Sequence, residues 1–133
     1  MTGVREAARR CFAATREAPL GLSIKDELQG PAVVVRLSGQ LDTLTAKPFE
    51  THLADKIAAG QKRIVVDLSE VNYVSSYGLR VFLLTAKQLR ADRRAFILAA
   101  LTEPVQKIFR ISGFDKILTI CDTLEAAVAL ASE

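Results

Sequence analysis

One passage, IVVDLSEVNYVSSYGLRVFLL from Ile64 to Leu84, constrains the fold more than any other. The apolar run Ile64, Val65, Val66 stops at Asp67, a polar loop follows, and Ser75 and Ser76 open a second apolar stretch. There Leu79, Phe82, Leu83 and Ala86 recur at helical spacing, so the passage reads as a buried strand, a loop and a helix. The first turn of a helix has unpaired N–H groups and a partial positive charge, which a serine hydroxyl or a phosphate can satisfy. From spacing alone, Ser75 and Ser76 fit either N-cap hydroxyls or a switch.

The flanking sequence extends the same alternation. Leu20, Leu22 and Ile24 alternate with small or polar residues, as in a half-buried strand. Gln29-Gly30-Pro31 is a turn, and Ala32 to Leu37 is a nearly continuous apolar strand, so a hairpin is expected. Gly39 to Thr45 reads as a loop, and Thr43 or Thr45 as the cap of a helix running to about Ala59, with Phe49, Leu53 and Ile57 on one stripe. Beyond the central passage come a strand at Ala95–Ala100 and a short helix at Glu103–Ile111 with Pro104 in its first turn. A last strand follows at Lys116–Ile120, and a final helix is capped by Asp122 or Thr123. The order is β-β-α-β-α-β-α-β-α.

This order predicts a single α/β domain, with a mixed, mostly parallel sheet of about five strands packed with about four helices. Its boundaries are 19–133. Residues 1–18 are expected to form a helical extension, with Val4, Ala7, Ala8, Cys11 and Phe12 on one stripe. A stripe that small does not hold a lone helix in water. It calls for packing on the domain or on a second copy of the chain, so a homodimer is one expected arrangement. The loops 39–45 and 69–76 follow two strands and are expected at the same, carboxyl end of the sheet, where such folds carry function.

Composition removes several classes of activity. No apolar run approaches the roughly 18–20 residues of a membrane span, and Arg10 interrupts any secretory apolar region, so a cytoplasmic protein without membrane insertion is expected. The net charge of +3 is modest and aromatic residues are only 6% of the chain, too few for a nucleic-acid stacking platform. Cys11 and Cys121 have no metal-type spacing and read as free thiols. His52, the lone histidine, lies mid-helix and is expected at the surface or its boundary. Asp42 and Asp67 are the one carboxylate pair to consider, although Asp67 at a strand end suits backbone N–H acceptance better. No nucleophile–base pair, metal set or cofactor motif stands out, so neither an enzyme nor a cofactor is expected.

The stretch VVDLSEVNYVSSYGLRVFLL resembles the signature of the STAS domain, the fold of bacterial anti-sigma factor antagonists. In that family a strand ending Asp-Leu-Ser leads to Asp-Ser-Ser/Thr-Gly-Leu or Ser-Ser-Ala-Gly-Leu-Arg. LSGQLD at 37–42 is similar to the family's Leu-x-Gly-x-Leu-Asp element, and TEPVQKIFRISGFDKILTICDTLEAAVAL to its C-terminal portion. The likeness runs over about residues 20–131, and the elements occur in the family's order.

The resemblance implies a binding module that sequesters an anti-sigma factor of the serine-kinase type and is switched by phosphorylation at the start of the second helix. Aligned on Gly78-Leu79, the family's acceptor position is Tyr77, Ser76 falls one residue earlier, and Ser75 replaces the family's aspartate. Ser76 is the expected acceptor, ahead of Ser75 and Tyr77, because the family's kinases act on Ser or Thr. The partner surface is expected to comprise Asp42, Thr43, Ser75, Ser76, Tyr77, Gly78 and Arg80, with Lys87 and Arg90 extending a positive rim. The alternative is an unphosphorylated STAS scaffold or an accessory subunit of a transporter or signalling complex.

Overall fold

A computed structural model of the chain describes residues 15–18 and 21–133. Six strands form one sheet in sequential order: β1 (Thr15–Ala18), β2 (Leu22–Gln29), β3 (Ala32–Leu41), β4 (Arg63–Val74), β5 (Ala95–Ala99) and β6 (Thr119–Cys121). The helices are α1 (Ala46–Ala58), α2 (Ser76–Ala91), α3 (Glu103–Ser112) and α4 (Leu124–Ala131). β1, β2 and β3 pair antiparallel, whereas β3, β4, β5 and β6 run parallel. The expected core of five strands and four helices is present, with β1 added at the β2 edge. Positions 1–14 of the expected helical extension lie outside the described residues. Its last four positions, Thr15–Ala18, belong instead to β1, where Thr15 and Arg16 pair with Lys25 and Ile24.

Sequential strand order has a geometric consequence. Each parallel crossover is right-handed, and the sheet always grows in the same direction, so α1, α2 and α3 must pack on one face. Each brings a fully buried phenylalanine to the core there: Phe49, Phe82 and Phe109. Phe49 and Phe82 meet edge to face with ring centroids 5.5 Å apart, and Phe82 and Phe109 are 5.8 Å apart. Full burial of one such ring stabilises by about 1.5–3 kcal/mol. On the other face α4 covers Val34, Val65, Ile97 and Ala99 with Ala127 and Ala131. β3 and β4 are therefore apolar on both sides, which accounts for their continuous Val and Ile runs.

Two strands outrun their expected ends. β3 continues through Leu41, and β4 continues from Leu68 to Val74. Their pairing persists through register shifts, with Gly39 opposite Val71 and Leu41 opposite Val74. Val71 and Val74 are buried while Asn72 and Tyr73 are exposed, so the polar residues of this stretch occupy an outer face instead of a loop. Gly39 is required for the arrangement. It has φ +120°, and a Cβ there would lie 1.7 Å from the backbone oxygen of Gly21 at the entry to β2. The last strand is shorter and later than expected, because Phe114–Lys116 form a 3-10 turn after Gly113.

His52 is buried, contrary to its expected surface position. His52 and Lys56 are one helical turn apart and face β2, where Asp26 follows Leu22 and Ile24 in the inward register. His52 Nε2 lies 2.7 Å from Asp26 Oδ1, and Lys56 Nζ lies 2.5 Å from Oδ2 as an ion pair outside hydrogen-bond alignment. A carboxylate buried this deeply needs both partners. Asp26→Ala removes the buried carboxylate that both His52 and Lys56 face. The variant is expected to lose about 3–5 kcal/mol in urea unfolding. A loss under about 1 kcal/mol would mean that water reaches the cluster in solution.

Candidate functional site

The carboxyl ends of β3 and β4 are tied to one another. Ser75 N–H donates to the Leu41 carbonyl at 2.8 Å, one residue beyond the last strand pair, Leu41 and Val74. α1 and α2 therefore start side by side, and the two connections form one surface, as expected from strand placement.

Asp42 shapes the first connection. Its Oδ1 accepts the N–H groups of Leu44 and Thr45, both at 3.0 Å. Thr45 Oγ1 accepts from Asp42 N–H and donates to the Gln40 carbonyl, both at 2.8 Å. Thr45 is thus the helix-flanking residue, but its hydroxyl braces the turn and gives no side-chain cap to α1. With the Asp42 carboxylate engaged in its own turn, Thr43 and Leu44 point outward and are exposed.

The second connection divides its residues by role. Ser75 is the N-cap of α2: it is buried, and its Oγ accepts Gly78 N–H at 3.3 Å. Gly78 is buried as well, and a Cβ there would come within 2.9 Å of Leu41 and Val74 side-chain atoms. Those two residues hold the first turn of α2 against the strand ends and offer little surface of their own. Ser76 and Tyr77 are exposed on that turn, and Arg80 is exposed one turn later. A group added to the Ser76 hydroxyl would project into solvent beside first-turn N–H groups, whereas one on Ser75 would displace the cap.

Sequence reasoning overlooked the apolar part of this surface. Leu44 is 57% exposed, Tyr73 46%, Tyr77 57% and Leu84 46%. Of these only Tyr77 had been singled out. Alternation within β4 could have found Tyr73, had the strand been followed past Leu68. Lys87 and Arg90 are exposed further along α2, although Arg90 donates to the Ile117 carbonyl at 3.2 Å.

Asp42 and Asp67 do not form a pair. Asp67 lies opposite Arg36 on β3, six residues before Asp42, which is roughly 20 Å along a strand. There it accepts Ser69 N–H at 2.9 Å and Arg36 Nη1 at 3.1 Å, and Arg36 also pairs with Glu27. The expected backbone acceptance by Asp67 is present, with an arginine added. Partial burial, followed by the neighbouring Asp122, pushes the Cys121 thiol above its ordinary range; Cys11 lies outside the described residues. No helix among the described residues is long and apolar enough to cross a membrane.

Comparison with known proteins agrees with this geometry. The STAS domain family model matches residues 23–127. A Bordetella bronchiseptica protein described as an anti-sigma factor antagonist, BtrV, is 38% identical over 104 residues, covering 78% of this chain and 89% of its own. The anti-sigma-B factor antagonist of Staphylococcus aureus is 26% identical, covering 80% and 98%. The crystal structure of an anti-sigma factor antagonist from Mycobacterium paratuberculosis superposes with a TM-score of 0.80 at 25% identity, covering 89% of this chain and all of that one.

The cap geometry yields a direct test. Ser75→Ala removes the acceptor for Gly78 N–H and is expected to cost about 1 kcal/mol of stability, read as a lower urea midpoint. Ser76→Ala leaves that bond intact and is expected to stay within about 0.5 kcal/mol of the parent. Equal losses for the two variants would contradict the assigned cap.

Proposed function

Because the chain belongs to the STAS domain family, we propose that it is an anti-sigma factor antagonist: a cytoplasmic binding module that sequesters an anti-sigma factor of the serine-kinase type. The observation that carries this reading is the exposed surface joining the two connections. Leu44, Tyr73 and Tyr77 supply exposed apolar contact area, Ser76 is exposed at the first position of α2, and Arg80 adds a positive charge one turn later. A surface with exposed aromatic side chains beside a few polar groups suits protein recognition. The relatives described as anti-sigma factor antagonists support the same partner class.

In this reading Ser76 is the switch. Its hydroxyl is exposed at the first position of α2, whereas the Ser75 oxygen is committed to the cap. A phosphate on Ser76 adds about −1.5 to −2 charges to a surface that is desolvated on binding. A penalty of ~3 kcal/mol weakens a complex roughly a hundredfold, enough to release the partner. Tyr77 immediately follows and offers a phenol, which a kinase selective for Ser or Thr does not use.

Incubation with the cognate kinase and ATP is expected to add about 80 Da to the parent protein, the mass of one phosphate. Ser76→Ala is expected to abolish the addition and keep partner binding. Ser76→Asp is expected to weaken binding less than phosphate does, since it has one charge and fewer acceptor oxygens. Loss of the mass shift in Ser75→Ala alone would move the acceptor to Ser75. An active, bound kinase that adds no mass to the parent would leave a module that binds without a switch.

A further inference from the structure

A cavity of about 350 Å³ opens near the C-terminus of α2, at the other end of that helix from Ser76. α2 has 16 residues, which sets its two ends roughly 24 Å apart. Ala86, Phe96 and Leu130 give the cavity an apolar wall, and Arg90, Arg93 and Arg94 share the lining. Two of the arginines are held by backbone carbonyls. Arg90 Nη2 donates to Ile117 at 3.2 Å, and Arg94 Nη1 donates to Ile57 at 3.1 Å and Gln61 at 3.4 Å. A carbonyl orients a guanidinium without cancelling its charge. Among the described residues the one carboxylate in an ion pair with these arginines is Asp92, 3.7 Å from Arg94 Nε. Among the described residues the Arg93 guanidinium has neither a hydrogen bond nor an ion pair.

The backbone at Arg93 is a second, independent observation. Its φ is +59°, in the left-handed region. Arg94 N–H donates to the Leu89 carbonyl at 2.8 Å and Arg93 N–H to the Arg90 carbonyl at 3.0 Å, the paired bonds of a Schellman ending. Glycine is the usual occupant of that position because a Cβ is crowded there. A long cationic side chain at a place that favours glycine is not explained by the helix ending. The same bonds engage the last carbonyls of α2, which reduces the negative field at the cavity mouth.

We propose that this cavity binds a small organic anion, with a carboxylate or phosphate head held by the arginines and an apolar body against Phe96 and Leu130. The volume suits a small-molecule site of about 300–1,000 Å³, and guanidinium groups match both heads bidentately. This site is separate from the surface around Ser76, and neither depends on the other.

The test is a titration of the full chain, followed by NMR at the backbone amides of Phe96 and Leu130, with phenyl phosphate, benzoate and inorganic phosphate as probes. Phenyl phosphate or benzoate is expected to saturate, and inorganic phosphate to bind at least tenfold more weakly, since it has no body for the apolar wall. The tighter of the two aromatic anions identifies the head group. Arg93→Gly is expected to weaken the preferred aromatic anion at least tenfold while its melting temperature stays equal or rises, because glycine relieves the left-handed backbone. Unchanged affinity in Arg93→Gly overturns the proposal. So does equal affinity for inorganic phosphate, or the absence of saturation by about 10 mM of either aromatic anion.

Discussion

The parallel pairing of β3 with β4 is the constraint on which the rest of the domain depends. Val33 to Val35 lie against Ile64 to Val66, apolar on both faces, and every other layer packs on that pair. The pairing also extends past the apolar runs, through two register shifts, to Leu41 and Val74. Its last polar link, from Ser75 N–H to the Leu41 carbonyl, fixes where both α1 and α2 begin. A surface assembled from two separate connections is thus held by the backbone of the most buried pair in the sheet.

Strand order then decides which face carries what. Sequential parallel strands place three crossover helices on one side, and Phe49, Phe82 and Phe109 join them into one core. Among the described residues α4 alone covers the other side, over β4 and β5, and the polar outer positions of β2 and β3 lie outside its cover. Arg36 can therefore reach Glu27 and Asp67 across that face, and Asp67 is drawn into a structural role.

At the carboxyl end of the pair, positioning and presentation fall to different residues. Asp42, Thr45, Ser75 and Gly78 spend their polar atoms or their small size on the frame. Thr43, Leu44, Tyr73, Ser76 and Tyr77 are left outward, with few internal contacts to satisfy. The cap bond of α2 is made by Ser75, so exposed Ser76 has no part in fastening the helix start. A frame of this kind suits a module whose partner reads a local change on an otherwise fixed surface.

Local sequence determined much of the order of elements. Apolar runs of β spacing, stripes of helix spacing, and the turn residues at 30–31, 60 and 113 name strands, helices and breaks, because those signals act over a few residues. A cap for α4 at Asp122 or Thr123 was legible for the same reason, and the structure takes Thr123. Only the tertiary structure decided the rest. Asn72 and Tyr73 look like loop residues until β3 pairs with them, and His52 looks like a boundary residue until Asp26 arrives from β2. Thr15 and Arg16 have helix-like neighbours in sequence, yet lie in a strand because β2 offers an open edge. In each case the deciding partner is a residue distant in the chain, and hydrogen-bond satisfaction across that distance outweighs local preference.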